Sequence, residues 1–254
     1  MSDLTATGLN LLISDKADPE RDALADAFSR RGGEAHRLGR FWDPPTFDPA
    51  SVRVYGADPF CLVLQQKLGF PLCSPADDLL LQVPPAFLQR RLEQQTLLEA
   101  QSGSFPMFIK PLVPKQFRGA VYQSADDLAK ECHGLPSDTK VFSAEPVKFT
   151  AEVRSFVLKN RVLDAALYEG QANITGAVEF IAALFKKITV PMAVVIDVGL
   201  IANRGWGVIE FNAAWGAGLN GCDPEKVLPA ILAASGGKER RELRPECKSP
   251  SPKV

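Results

Sequence analysis

The sequence predicts a layered chain of mixed strands and helices, α/β or α+β, rather than a helical bundle. Two observations carry this. Strand-like and helix-like hydrophobic periods alternate along the chain. The chain also has 254 residues, 46% hydrophobic and 23% charged, which is enough to bury a substantial core.

Taken in order, Leu9 to Ser14 reads as a first strand. Pro19 to Arg31 follows as an amphipathic helix ended by Gly32-Gly33. Ala35 to Leu38 and Val52 to Gly56 are further strands, and Pro59 to Leu68 is a helix. Phe87 to Ala100 has helical periodicity and opens after Pro84-Pro85, so one helix is expected there. Phe105 to Lys110 is an apolar strand ending in lysine, with Pro111 expected to stop regular pairing. Ser124 to Cys132 begins Ser-x-x-Asp and reads as a capped helix. Asn173 to Ile188 is another helix, whose Lys186-Lys187 suits its C-terminus, and Pro224 to Ala234 is the last. Beyond Gly236-Gly237 the chain turns charged and rich in Pro and Ser, and reads as a disordered tail.

The chemistry concentrates in Val194 to Leu219. Asp197 sits in one apolar, β-branched run, and Glu210 and Asn212 sit in the next. Ala202-Asn203-Arg204-Gly205 between them is turn chemistry, so a hairpin is expected. Residues two apart on a strand share a face, which puts Glu210 and Asn212 together and Asp197 opposite them. Two carboxylates and an amide suit Mg²⁺, a hard cation that takes oxygen ligands and bridges to phosphates. Polar residues on the wet face of a sheet would explain one carboxylate better than a set of three ligands. Lys110 ends an apolar strand as a point cation on a flexible stem, suited to phosphate oxygens. Arg154 shares a strand face with Glu152, which also allows a plain ion pair.

This ordered set resembles the ATP-grasp superfamily, over about residues 50 to 225. Within it, Arg90 and Arg91 before the lysine strand, Lys115 in the following loop and the Glu152-Val153-Arg154 stretch resemble one clade. That clade is named for an arginine–lysine exchange in its nucleotide site, and the likeness is to its bacterial and phage branch. The resemblance implies an α+β fold in which two α+β subdomains enclose an ATP cleft, after a small α/β N-terminal subdomain. The implied boundaries are 1–85, 86–234 and a tail at 235–254. It implies ATP and Mg²⁺ as cofactors, with Asp197, Glu210 and Asn212 as metal ligands. Lys110 and one of Arg90 or Arg91 would meet phosphate oxygens, and Lys115 and Arg118 would close over the γ-phosphate. Glu145 and Val147 would meet the adenine in a hinge that Pro146 stiffens, and Glu152 the ribose. Lys110, Arg118 and Arg154 are the candidates for catalytic roles. Many amide-forming relatives carry an arginine shortly before the metal aspartate, where this chain has Val194, Val195 and Ile196. Arg154 is the substitute considered for that charge. Ala213 to Leu219 would seat the carboxylate substrate, with Trp215 either walling the pocket or simply buried.

The implied activity is an ADP-forming carboxylate–amine ligase acting through an acylphosphate. Its partner would be a small molecule or peptide, or a protein, bearing a carboxylate and met by an amine. The alternative is an ATP-binding assembly factor of the same fold with little turnover. A net charge of −1 provides no basic field for nucleic acid. Five scattered cysteines without CxxC spacing point to reduced thiols and a cytoplasmic protein. His36 and His133 are too few for a zinc site and are expected in surface or loop positions. Neither a signal peptide nor an apolar run of spanning length is legible, so no membrane partner is expected.

Overall fold

The computed structural model describes residues 5–236. The expected disordered tail, 235–254, lies from residue 237 onward outside them. Three sheets organise the chain.

The first sheet is parallel, in the order β2 (Glu34–Leu38), β1 (Asn10–Ser14), β3 (Val52–Val54). Leu11, Leu12 and Ile13 of β1 are fully buried, as a central parallel strand covered on both faces requires. Helix α1 (Pro19–Arg30) starts where Asp18 accepts a hydrogen bond from the Arg21 N–H, with Pro19 at its first position. Helix α2 (Asp58–Leu68) ends at Gly69, whose φ of 76° a side-chain-bearing residue would resist. Phe28, Leu24 and Phe60 fill the core between these elements.

The sequence expectation of one helix over Phe87 to Ala100 is wrong. A short α3 (Pro85–Leu88) ends at Gln89 in the left-handed region (φ 57°), and β4 (Leu92–Thr96) follows before α4 (Leu97–Gln101). β4 pairs antiparallel with β7 (Lys140–Ala144), so tertiary pairing overrides the local helical period. The second sheet runs β4, β7, β5 (Met107–Pro111), β6 (Ala120–Tyr122), with α5 (Ala125–Glu131) behind it, capped by Ser124.

The third sheet is antiparallel: β11 (Gly205–Asn212), β10 (Ala193–Ile201), β8 (Phe149–Leu158), β9 (Arg161–Gly170). One face of β10 carries Val194, Ile196 and Val198 into the core under α6 (Ile174–Leu184). The other carries Ala193 and Val195 under α7 (Pro224–Ala234), in the same core as the first sheet, and then Asp197. Asp197 therefore stands where apolar packing stops and a polar cleft begins.

The β10–β11 register slips by one residue just after Asp197: Asp197 faces Glu210, but Val198 faces Val208. Without that bulge Val208 would share a face with Glu210. With it, Val208 joins the α6 core while Glu210 and Asn212 face the cleft. The expected hairpin turn is present, with Asn203 (φ 63°) and Gly205 (φ 90°) in the left-handed region. His36 corrects another expectation, since it lies within β2, half-buried, 2.8 Å from Asn10 Oδ1. Among the described residues no helix is long and apolar enough to cross a membrane.

Candidate functional site

The cleft face of the third sheet gathers charge from three neighbouring strands. Asp197 on β10 is directly opposite Glu210 on β11 and Arg154 on β8, and Asn212 is opposite Val195. Directly opposed residues share a face, so the four polar side chains form one patch. Arg154 grips Asp197 with both prongs: Nε donates to Oδ1 at 2.9 Å and Nη2 to Oδ2 at 2.6 Å. Its Nη1 donates to the Gly218 carbonyl at 3.0 Å. Glu152 therefore does not pair with Arg154; its Oε2 accepts instead from the Tyr168 hydroxyl at 2.6 Å.

Lys110, at the end of β5 in the second sheet, reaches across to this patch. Its Nζ donates to Glu210 Oε2 at 3.3 Å, and it also stands 5.8 Å from the centroid of the Phe142 ring. Asn212 Nδ2 donates to Glu210 Oε1 at 3.0 Å and to Asp197 Oδ2 at 3.4 Å. Two carboxylates and two cations thus balance in charge at the mouth of the cleft.

Burial pushes the Asp197 carboxyl up, since only 1% of the residue is exposed, and the Arg154 fork opposes that push. Burial would pull the Arg154 guanidinium down, but the Asp197 hydrogen bonds and charge hold it above its ordinary value. Glu210 goes the other way. Desolvation raises it, yet Lys110, Asn212 and Arg154 together hold it below the usual carboxylate value.

The donor chemistry fits a hard divalent cation. Asp197, Glu210 and Asn212 lie within one hydrogen-bonded cluster, and turning the Asn212 amide about its last bond would add its oxygen to the four carboxylate oxygens. Among the described residues no group of three or more His, Cys, Asp or Glu could hold a metal, which leaves this mixed set. Cys132 and Cys222 are buried, their thiols pushed up by burial to about 11 and about 12.

The other sequence-selected residues fall into two groups. Arg90 turns inward: its Nη1 donates to the Leu88 carbonyl at 3.0 Å and the Val208 carbonyl at 2.7 Å, and its guanidinium lies 5.6 Å from the Phe149 ring centroid. Arg91 is exposed and pairs with Glu93 at 2.7 Å. Glu145 follows β7 and bonds Arg204 from the β10–β11 turn, while half-buried Val147 lies in the linker to β8. Lys115 (φ 69°) pairs with Asp58 of α2 at 2.7 Å, away from the Lys110 cluster. Arg118 donates its backbone N–H to Glu131 and lines a 420 Å³ surface cavity with Asp127 and Lys130.

Sequence reasoning missed Tyr168, Phe149 and Arg204, each brought to the site by sheet register and carrying no local signal. It also missed Glu20, whose place in the first turn of α1 reads as an ordinary response to the helix dipole.

The model of an ATP-grasp domain, family 2 of the arginine-to-lysine clade, matches residues 87–230. The chain belongs to that clade of the ATP-grasp superfamily. No curated protein matches it. Among solved structures, the RimK domain ATP-grasp protein of Sphaerobacter thermophilus DSM 20745 is similar, with a TM-score of 0.61 and 15% identity, over 88% of this chain and 99% of that one. D-cycloserine synthetase DcsG is similar with a TM-score of 0.57 and 13% identity, over 89% and 98%. The ATP-grasp ligase PsnB, bound to a precursor peptide and AMPPNP, gives 0.52 and 15%, over 91% and 98%. At these identities the likeness speaks for the ATP-grasp fold, and the expected α+β class holds with it.

Proposed function

We propose that this ATP-grasp protein is an ATP- and Mg²⁺-dependent ligase that joins a carboxylate to an amine through an acylphosphate. The observation that carries the reading is the convergence of Lys110 from one sheet on the Asp197–Glu210–Asn212 set of another, at 3.3 Å from Glu210. A cation and a hard-oxygen set meeting across a cleft suit phosphoryl transfer, where the protein supplies positioning and charge neutralisation. Family membership and the ligases among its structural neighbours support the same reading.

In this reading Asp197, Glu210 and Asn212 hold Mg²⁺, which when bound supplies charge neutralisation at the phosphate oxygens. Lys110 meets the α and β phosphates. Arg90, turned inward beside Phe149, faces the nucleotide rather than Arg91. Glu145 and Val147 meet the adenine and Glu152 the ribose. Lys115 and Arg118 close over the γ-phosphate, which requires Lys115 to leave Asp58. The substrate carboxylate attacks the γ-phosphorus, forming a P–O bond and releasing ADP. The amine nitrogen then attacks the acyl carbon and phosphate leaves. Arg154, with three of its five N–H groups engaged, keeps two to offer the developing negative charge. We place the protein in the cytoplasm and its chemistry on a small-molecule, peptide or protein substrate.

The test is ADP release with ATP and Mg²⁺ against pools of amino acids and short peptides, with Glu210→Gln as the blank. ADP that appears with one pool and vanishes in the variant is the expected result. Nucleotide binding with no ADP from any pool, nor from candidate protein substrates, would sink the ligase reading in favour of an assembly factor.

A further inference from the structure

Glu20 lies in the first turn of α1, in the part of the chain built on the first sheet, yet its carboxylate is spent on the far end of the sequence. Its Oε2 accepts from the Leu219 N–H at 2.7 Å and its Oε1 from the Asn220 N–H at 2.8 Å. The left-handed turn at Asn220 (φ 48°) and Gly221 (φ 87°) aims these consecutive donors at one carboxylate. One residue earlier, the Gly218 carbonyl accepts from Arg154 Nη1. Gly218 is tightly enclosed: a Cβ there would lie 3.1 Å from Glu20 Oε2 and 3.8 Å from Arg154 Nη1. Upstream, the same loop is tied to the first sheet by Tyr55, whose hydroxyl donates to the Ala217 carbonyl at 2.9 Å, and by the Gly56 N–H on the Trp215 carbonyl. Tyr55 and Gly56 hold residues 215–217, and only Glu20 among these three holds the stretch that bears on Arg154.

We infer that Glu20 is a positioning residue for the cleft: it fixes the loop at 218–220, the loop carbonyl fixes Arg154, and Arg154 fixes the Asp197 carboxylate. The inference rests on the proposed function only where Asp197 is taken as a metal ligand. Partners that orient a ligand from behind commonly govern metal affinity without touching the metal. Glutamine at position 20 keeps the shape but offers one acceptor oxygen and a donor that faces an N–H, so one of the two loop donors loses its partner.

The experiment measures binding of a non-hydrolysable ATP analogue as a function of Mg²⁺, together with amide hydrogen exchange, in the full chain. Glu20→Gln should raise the half-saturating Mg²⁺ concentration roughly tenfold and speed exchange at Leu219 and Asn220. Glu225→Gln is the control. Glu225 joins α7 to Arg30 and Arg31 at the other end of α1, so its loss should lower the melting temperature and leave the Mg²⁺ requirement alone. An unchanged Mg²⁺ requirement in Glu20→Gln, unchanged exchange at the two amides, or an equal shift in the control would each overturn the inference. If analogue binding by the wild-type protein itself ignores Mg²⁺, the failure belongs to the metal reading, and the variants need not be made to see it.

Discussion

The β10–β11 hairpin and the segment joining β5 to β6 both bring charged residues toward the cleft, but they hold them differently. Asp197 is fixed by strand pairing on both sides and by a bidentate guanidinium, and the side chains of the Arg154–Asp197 pair are 12% and 2% exposed. Lys115 sits on a loop with φ of 69° and is held by one ion pair to Asp58, 65% and 38% exposed. The first arrangement is built before any ligand arrives, while the second can be given up at little cost. A site of this kind divides its labour: buried ladders set the geometry of the metal-ligand candidates, and exposed loop cations are left free to move.

The sharpest way to break that comparison is to remove Asp197. Asp197→Ala strands the Arg154 guanidinium in a nearly dry position and should destabilise the fold by about 3–5 kcal/mol, read from urea unfolding midpoints. Asp197→Leu combined with Arg154→Met should recover much of that loss, because the cost lies in the orphaned charge. A loss for Asp197→Ala below about 1 kcal/mol, the range of exposed pairs, would show that this pair is no better buried than the loop's.

Lys110 is intermediate, with side chains 23% and 38% exposed in its pair with Glu210. Lys110→Ala should cost under about 1 kcal/mol of stability and at least roughly tenfold in ATP-analogue affinity, the loss of one charge-assisted contact. Full affinity in this variant would remove Lys110 from the phosphate site. The pair also sets a pH dependence. Glu210 is held below its ordinary value of 4.5, so its stabilisation is fully present above that pH and is lost as pH falls through the lower folded value. In Lys110→Ala the folded value rises, and acid unfolding should begin at higher pH. An acid limb that does not move would mean that Lys110 is not what holds Glu210 down.

The sequence makes the hairpin legible because its signals are local: β-branched runs, a turn with Asn and Gly, and a period of two. Helix α7 is legible for the same reason, running from Pro224 to Ala234 as its period and proline predict. The bulge after Asp197 is not, since nothing in Val208 or Ile209 announces a slipped register. Nor is β4, because Leu92-Glu93-Gln94-Gln95-Thr96 favours helix locally and becomes a strand only by pairing with β7. One signal was available there: Thr96-Leu97-Leu98-Glu99 is a capping box, and in the structure both of its reciprocal hydrogen bonds form, marking a new helix start at Leu97. Glu20 and Tyr168 reach the cleft across 199 and 16 residues, distances at which only the fold decides who meets.

The smallest expected effect is at the loop, and its smallness is what the comparison requires. Lys115→Ala removes an exposed ion pair and should change stability by less than about 0.5 kcal/mol. If Lys115 leaves Asp58 to meet the γ-phosphate, the same variant should weaken an ATP analogue while leaving ADP affinity untouched, because only the triphosphate carries the group it closes over. Asp58→Ala gives the opposite sign, since freeing Lys115 from its partner should strengthen analogue binding. Equal effects of Lys115→Ala on ATP and ADP analogues would place the lysine elsewhere along the phosphates. A stability loss near that of Asp197→Ala would mean that the loop is a fixed part of the fold, and the division between built geometry and movable charge would fail.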